Sequence, residues 1–250
     1  MSTAAVCHHG VSADRCPLLQ TANTTDESGR YRFKQQPAAV LWNCAQMGQA
    51  MSEVMEKEAV QRAIDSFGDA FAAEYEALMA TKLGLPGGWN GPEDGALMQQ
   101  WLTLLTSGSE GGLDYTNSFR ALSHVDPAAG VEGAMERLHP VIGGSVAEEE
   151  LPAWRSFFAV YLERLGPLDE AAQAQRRAEM LSTNPKFILR NYQAHDAICA
   201  LEDEDDSSKL HRLLRVLEKP FEEQPEAEAE GFAVPAPLDL ARSRGVTILS

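Results

Sequence analysis

The sequence predicts an all-α fold, an irregular multi-helix bundle of about eight helices with a disordered acidic tail. Three observations carry this. Apolar residues recur at three- and four-residue spacing through most of the chain, as one face of a helix requires. No stretch shows the alternation of a strand, only Gly245 to Leu249 coming close. From Phe221 onward Glu, Pro and Ala dominate and the period is lost. At 250 residues, 44% hydrophobic and 23% charged, the chain has the composition of an ordinary globular protein able to bury a sizeable core. We expect three parts: a loosely ordered or disordered segment 1–29, a helical domain 30–219, and an acidic Pro/Glu/Ala-rich tail 220–250.

The net charge of −16 argues against a nucleic-acid or anionic-membrane surface, since phosphates are held by clustered Lys and Arg. No apolar run reaches the length of a membrane span. The four cysteines (Cys7, Cys16, Cys44, Cys199) form no short paired spacing, which points to a reducing compartment. Cys7, His8, His9 and Cys16 could offer ligand atoms to zinc, but without the spacing of a zinc frame.

The first helix is expected after Gln36-Pro37, with Pro37 in its first turn and Val40, Cys44, Met47, Met51 and Val54 as its buried seam. Trp42 and Asn43 lie beside that seam. A second runs from about Glu58 to Leu83 over a stripe of Val60, Ile64, Phe67, Phe71, Tyr75, Leu78 and Met79. Gly84 and Pro86 stop it. A third buries Leu97, Trp101, Leu104 and Leu105 and breaks at Gly108 to Gly112. Asp114 then suits the N-cap of a short helix that turns Tyr115, Phe119 and Leu122 inward, and Arg120 reads as a surface or interhelical charge.

Residues 124–150, rich in Gly, Ala and Pro, are expected to be the least regular part of the folded region. Trp154, Phe157, Phe158, Tyr161, Leu162 and Leu165 form the densest aromatic stripe, best explained as core. A polar helix from Asp169 to Leu181 follows. Asn184-Pro185 next reads as the cap and first position of another helix, with Phe187, Ile188, Ala194, Ile198 and Leu201 on one face. Asn191 falls on that face as a buried amide tether, while Lys186 and Arg190 fall on the other and should matter less to stability. Cys199 is expected on the packed helix. Leu210, Leu213, Leu214 and Leu217 mark a final helix capped by Ser207 or Ser208, antiparallel to the one before and closed by Pro220.

Several strings resemble one family. N-x-T-D at Asn23 to Asp26 is followed by Gly29-Arg30-Tyr31-x-Phe33, Gln36-Pro37 and Leu41-Trp42-Asn43. Further on come Leu78 to Leu85, Asp114-Tyr115-Thr116-Asn117-x-Phe119-Arg120, Asn184-Pro185-Lys186-Phe187-Ile188-Leu189-Arg190-Asn191-Tyr192, and Phe221-Glu222-Glu223-Gln224-Pro225-Glu226. Together, in order and at matching spacing, they resemble the C-terminal region of the selenoprotein O (SelO) family, kinase-like protein adenylyltransferases that move AMP from ATP to Ser, Thr or Tyr hydroxyls.

The resemblance implies ATP and magnesium in the full-length family but none on this chain. The family's C-H-G-V-x-N-T-D-N loop is matched only in part at Cys7 to Cys16, and I-D-Y-G-P is absent. No catalytic, cofactor-binding or metal residue is assigned. Arg30, Tyr31, Gln36, Pro37, Trp42, Asn43, Asp114, Tyr115, Asn117, Arg120, Asn184, Pro185, Lys186, Arg190, Asn191 and Tyr192 are signature residues with an expected structural role. Implied partners are the kinase-like lobe or protein substrates, with no nucleic acid or membrane. The implied location is mitochondrial in a eukaryote and cytoplasmic otherwise. A stand-alone helical interaction module is the alternative. Family members commonly end in V-S-C-S-S or its selenocysteine form. The closing Val246 to Ser250 therefore raises the expectation of an in-frame UGA and Ser-Ser codons after Ser250.

Overall fold

Helices α1 (Gln36–Met51), α2 (Lys57–Leu83), α3 (Gly91–Ser107), α4 (Tyr115–Leu122) and α5 (Gly130–Ile142) are followed by α6 (Leu151–Leu165), α7 (Glu170–Thr183), α8 (Asn191–Glu204), α9 (Ser208–Leu217) and α10 (Pro225–Ala229). The computed structural model describes residues 26, 28–107, 113–142 and 146–235, and among these there is no strand. The all-α class is as the periodicity required. The zinc-ligand candidates Cys7, His8, His9 and Cys16, and the stretch Gly245 to Leu249, lie outside the described residues.

The main core is an aromatic stack between α3 and α6, walled by α4, α5, α7 and the end of α2. Trp101 lies against Phe157 with ring centroids 5.0 Å apart and meets Trp154 and Phe119 edge-on at 5.8 and 5.7 Å. Trp154, Phe157, Phe158 and Tyr161 have no exposed surface. Edge-to-face and offset pairs of this kind add to the burial of the rings themselves.

Residues 124–150 are more regular than their Gly and Pro content suggested. Over 130–142 they form α5, whose Ala134, Leu138 and Ile142 are buried. Pro140 sits in the last turn, where it gives up the bond to Glu136 O and the helix ends two residues later.

The expected seam of α1 is corrected outright. Val40, Met47, Met51 and Val54 are exposed, Val54 to 83%. Helix α1 packs on the first half of α2, where Gly48 lets the two backbones approach. A Cβ there would fall 2.7 Å from Val60 and 2.8 Å from Ile64. The α2 stripe is likewise buried only at its end, at Met79, Ala80 and Leu83. Phe67, Phe71 and Tyr75 stack on one another along a half-exposed face, and Leu78 is exposed.

Helix α2 ends at Gly84 as read, in the left-handed conformation (φ +63°), with Leu85 N–H on Ala80 O and Gly84 N–H on Thr81 O. This is a Schellman closure. A side chain at 84 would also strike Met180. The next carbonyls of α2 are taken by side chains. Tyr161 Oη donates to Leu83 O at 2.7 Å, and Arg176 Nε donates to Gly84 O at 3.1 Å.

Beyond α7 the chain departs from expectation twice. The helix read as starting at Pro185 starts instead at Asn191, after an extended 185–190. The Lys186 and Phe187 amides donate to Pro220 O (2.8 and 3.1 Å), so they are not available to a helix. The segment after Phe221 is also ordered as far as Pro235. It forms α10 and buries Ala227 beside Phe187 and Val216 in a second, smaller core. On α9, Leu213 and Val216 point inward, whereas Leu210 and Leu214 are exposed. Ser207 holds the N-cap position without a side-chain bond. Asp206 Oδ1 accepts from Ser208 N–H instead.

Tyr161→Phe removes a buried hydroxyl that serves both Leu83 O and Arg176. It should cost about 1–3 kcal/mol in equilibrium urea unfolding, with the helical far-UV signal retained. A loss within error would show that the α2 end is held by packing alone.

Candidate functional site

The signature residues fall into two places. In the first, Asp26 closes a turn, its carboxylate accepting from Arg30 N–H (3.0 Å), Tyr31 N–H (2.7 Å) and Ser28 Oγ (3.0 Å). The Tyr31 amide leads in holding the Asp26 carboxyl below its ordinary range. Gly29 supplies the left-handed step of that turn (φ +69°). The Arg30 guanidinium lies 4.2 Å above the Trp42 ring, a cation–π contact. Gln36 Nε2 donates to Tyr31 O at 3.2 Å, and Pro37 takes the second position of α1. Tyr31, Trp42 and Asn43 are exposed.

The second place is a charged junction that gathers residues far apart in sequence, built from α4, the 184–190 segment and the chain after Pro220. Asp114 is the N-cap of α4, as read, accepting from Asn117 N–H at 2.9 Å. Its other oxygen accepts from Asn117 Nδ2 (3.0 Å) and from Arg190 (2.8 Å), whose side chain has no exposed surface. Arg120 donates to Leu181 O (2.9 Å), Asn184 O (2.7 Å), Phe221 O (3.1 Å) and Glu223 (2.7 Å). Asn184 is buried and faces α2. Its Nδ2 donates to Lys82 O (2.9 Å) and its Oδ1 accepts from Lys82 Nζ (2.8 Å). Lys186, beside Pro185, bonds Glu223 and Glu228. Tyr192 Oη donates to Val234 O at 2.9 Å. The Tyr115 ring lies 4.8 Å from that of Phe119.

Several expectations are corrected here. Asn184 cannot cap a helix starting at Pro185 because both ends of its amide are committed to Lys82. The buried tethers are Asn184 and Arg190, whereas Asn191 is half-buried at the first residue of α8. Arg190 and Lys186, assigned to a face of little weight, hold the junction together. Arg120 is interhelical as one alternative had it, but buried. Cys199 is partly exposed, its sulfur 3.6 Å from His195 Nε2. The sequence reading left out Lys82 and Glu223, although both lie inside quoted strings. It also left out Arg176, whose only signal is a charge in an otherwise polar helix.

The chemistry of the junction is neutralisation. Its carboxylates face guanidinium and ammonium groups and its cations face carboxylates and helix-end carbonyls. Asp94 is committed in the same way to Arg164 (2.7 Å) and Asn90 N–H (2.6 Å). Among the described residues no three His, Cys, Asp or Glu side chains come together as metal ligands.

Burial pulls the Lys82 pKa down from 10.5 to about 8. Between about 8 and 10.5 the unfolded chain keeps this proton and the folded chain does not. Stability owed to Lys82 should therefore rise with pH across that window. Lys82→Met should flatten that rise in urea unfolding followed against pH. Arg190→Met strands Asp114 in the interior and should cost about 3–5 kcal/mol, with Asp114→Asn in the same chain recovering part of it. Equal melting of Arg190→Met and the unaltered protein would show the pair to be idle.

Three relatives named Protein nucleotidyltransferase YdiU match most of the sequence. The protein of Vibrio parahaemolyticus is 37% identical over 209 residues, covering 83% of this chain and 40% of its own length. That of Myxococcus xanthus is 37% identical over 213 residues, 85% of this chain and 41% of its own length. That of Flavobacterium johnsoniae is 34% identical over 238 residues, 90% of this chain and 44% of its own length. The chain thus spans about two fifths of the length of the curated relatives it matches. The profile of the family described as Protein adenylyltransferase SelO matches residues 14–218, which takes in both groups of signature residues. With most of its length so matched, the chain belongs to the SelO family of protein adenylyltransferases.

Proposed function

We propose that this chain supplies the C-terminal helical part of a SelO-type protein adenylyltransferase and does not itself transfer AMP. In this reading ATP and magnesium are held by the kinase-like part of the family, which moves AMP to a Ser, Thr or Tyr hydroxyl of a protein. The helical part is a rigid body docked beside that site. The observation that carries the reading is the apolar face of the α1–α2 hairpin. Phe33, Val40, Met47, Met51, Val54 and Phe71, on α1, α2 and the turns before and between them, are all exposed. Exposed apolar side chains gathered on one hairpin are what a protein interface covers. Relatives more than twice as long have the polypeptide to cover it. The paired carboxylates of the junction support the same conclusion, because breaking those pairs to bind a metal would leave Arg120 and Arg190 buried without counter-charge.

The protein partner is thus the kinase-like lobe, and the acidic surface gives no support to a nucleic acid. Among the described residues no helix is long and apolar enough to cross a membrane. The named relatives are bacterial, and the reading places the protein in the cytoplasm of such a cell.

Isolated protein should show no magnesium-dependent heat with ATP in titration calorimetry and no self-labelling with AMP. Tight ATP–Mg binding would overturn the assignment. The uncovered hairpin should also bind a hydrophobic dye and self-associate with concentration in sedimentation. Met47→Glu with Val54→Glu should abolish both without lowering the melting temperature. A monodisperse, dye-silent monomer would favour the stand-alone interaction module.

A further inference from the structure

The chain after Pro220 is held in a manner unlike the rest of the fold. Three successive backbone carbonyls, of residues 232 to 234, are each received by a side chain of the body. Tyr192 Oη donates to Val234 O at 2.9 Å, Gln193 Nε2 to Phe232 O at 3.1 Å, and Asn117 Nδ2 to Ala233 O at 2.9 Å. Carboxylates of the same segment meet the body's cations. Glu223 lies between Arg120 and Lys186, Glu228 also bonds Lys186, and Glu230 takes Arg212 in a two-point contact at 2.8 and 2.9 Å. Ala227 fills an apolar socket over Phe187 and Val216, and Phe232 lies 5.6 Å beneath the Arg212 guanidinium. Ala227, Phe187 and Val216 form a core separate from the aromatic one.

Backbone carbonyls read by side chains, ionic anchors and one small apolar socket are the means by which a protein recognises a peptide. In a chain of net charge −16, a groove lined by Arg120, Lys186 and Arg212 is an exception that calls for an acidic occupant. We propose that the groove between α4, the 184–190 segment and α8–α9 is a binding site for an acidic peptide with a small and an aromatic anchor. Residues 221–235 are its resident ligand in cis, a strap that leaves without unfolding the main core. A partner protein bearing a segment of the same chemistry takes the groove when the strap is out. Tethering explains why the strap prevails at rest, since a short covalent link gives it a local concentration of millimolar order.

The test uses the full chain carrying Glu223→Ala, Glu228→Ala and Glu230→Ala together, which loosens the strap and alters no residue of the groove. The probe is a fluorescent synthetic peptide of residues 221–235. Hydrogen exchange should rise over 221–235 while α3 and α6 keep their protection, as expected of a separable unit. Fluorescence anisotropy should show saturable, salt-sensitive binding to the triple variant, at least about ten times tighter than to the unaltered protein. A peptide of the same composition in scrambled order should not bind. The proposal is overturned by any of four results. These are unchanged exchange over 221–235, joint loss of protection in α3 and α6, no peptide binding once exchange shows the strap released, or equal binding of the scrambled peptide.

Discussion

A helix leaves its last carbonyls without partners inside the helix, and a buried helix end must find them elsewhere. The C-terminus of α2 shows how this fold meets that demand. Ala80 O and Thr81 O are taken by the backbone of the Gly84 turn. Lys82 O, Leu83 O and Gly84 O are taken by Asn184, Tyr161 and Arg176. Three elements distant in sequence thus meet at one helix end. Arg176 also reaches Leu122 O and Val125 O at the end of α4, and Arg120 does the same for Leu181 O and Asn184 O after α7. A guanidinium suits this work, because its donors fan out in a plane and its charge is met by the negative ends of helix dipoles.

This arrangement accounts for buried arginines in an acidic protein. Arg120, Arg176 and Arg190 are each at most 6% exposed. Arg176 is surrounded by carbonyls and the Tyr161 hydroxyl, whereas Arg190 has the Asp114 carboxylate. The first is neutralised by dipoles and the second by an ion. Removing Arg176 takes the donor from Gly84 O, and removing Arg190 leaves the Asp114 carboxylate without its counter-charge, which is why such groups fix one arrangement of helices even where their net contribution to stability is modest.

Packing quality is uneven along the molecule. The α3–α6 core is walled by four further helices, the Phe187–Val216–Ala227 core is closed by the strap, and the α1–α2 hairpin carries exposed apolar side chains. Regions with fewer buried contacts open more readily, so the two ends of the described chain are the parts that can exchange one neighbour for another. Both proposed interaction surfaces lie there, one apolar and one basic.

The helix period alone placed α2, α3, α4, α6, α7 and α9 near their observed bounds, and the Gly84 stop and the Asp114 cap were legible because each is a local hydrogen-bonding choice of one residue. The SelO family was legible from the same strings that later met in the junction. The sequence could not say which apolar faces are covered. The seam of α1 has the same spacing as that of α3, yet one is wet and the other dry, since burial depends on what else the chain brings there. Nor could it place the start of α8. Asn184-Pro185 is a sound local cap, but Lys82 and Pro220 outcompete the helix for its hydrogen-bonding groups across long sequence separations. Arg190 and Glu223 acquired their weight in the same way, because an ion pair between residues far apart exists only once the tertiary fold has closed the distance.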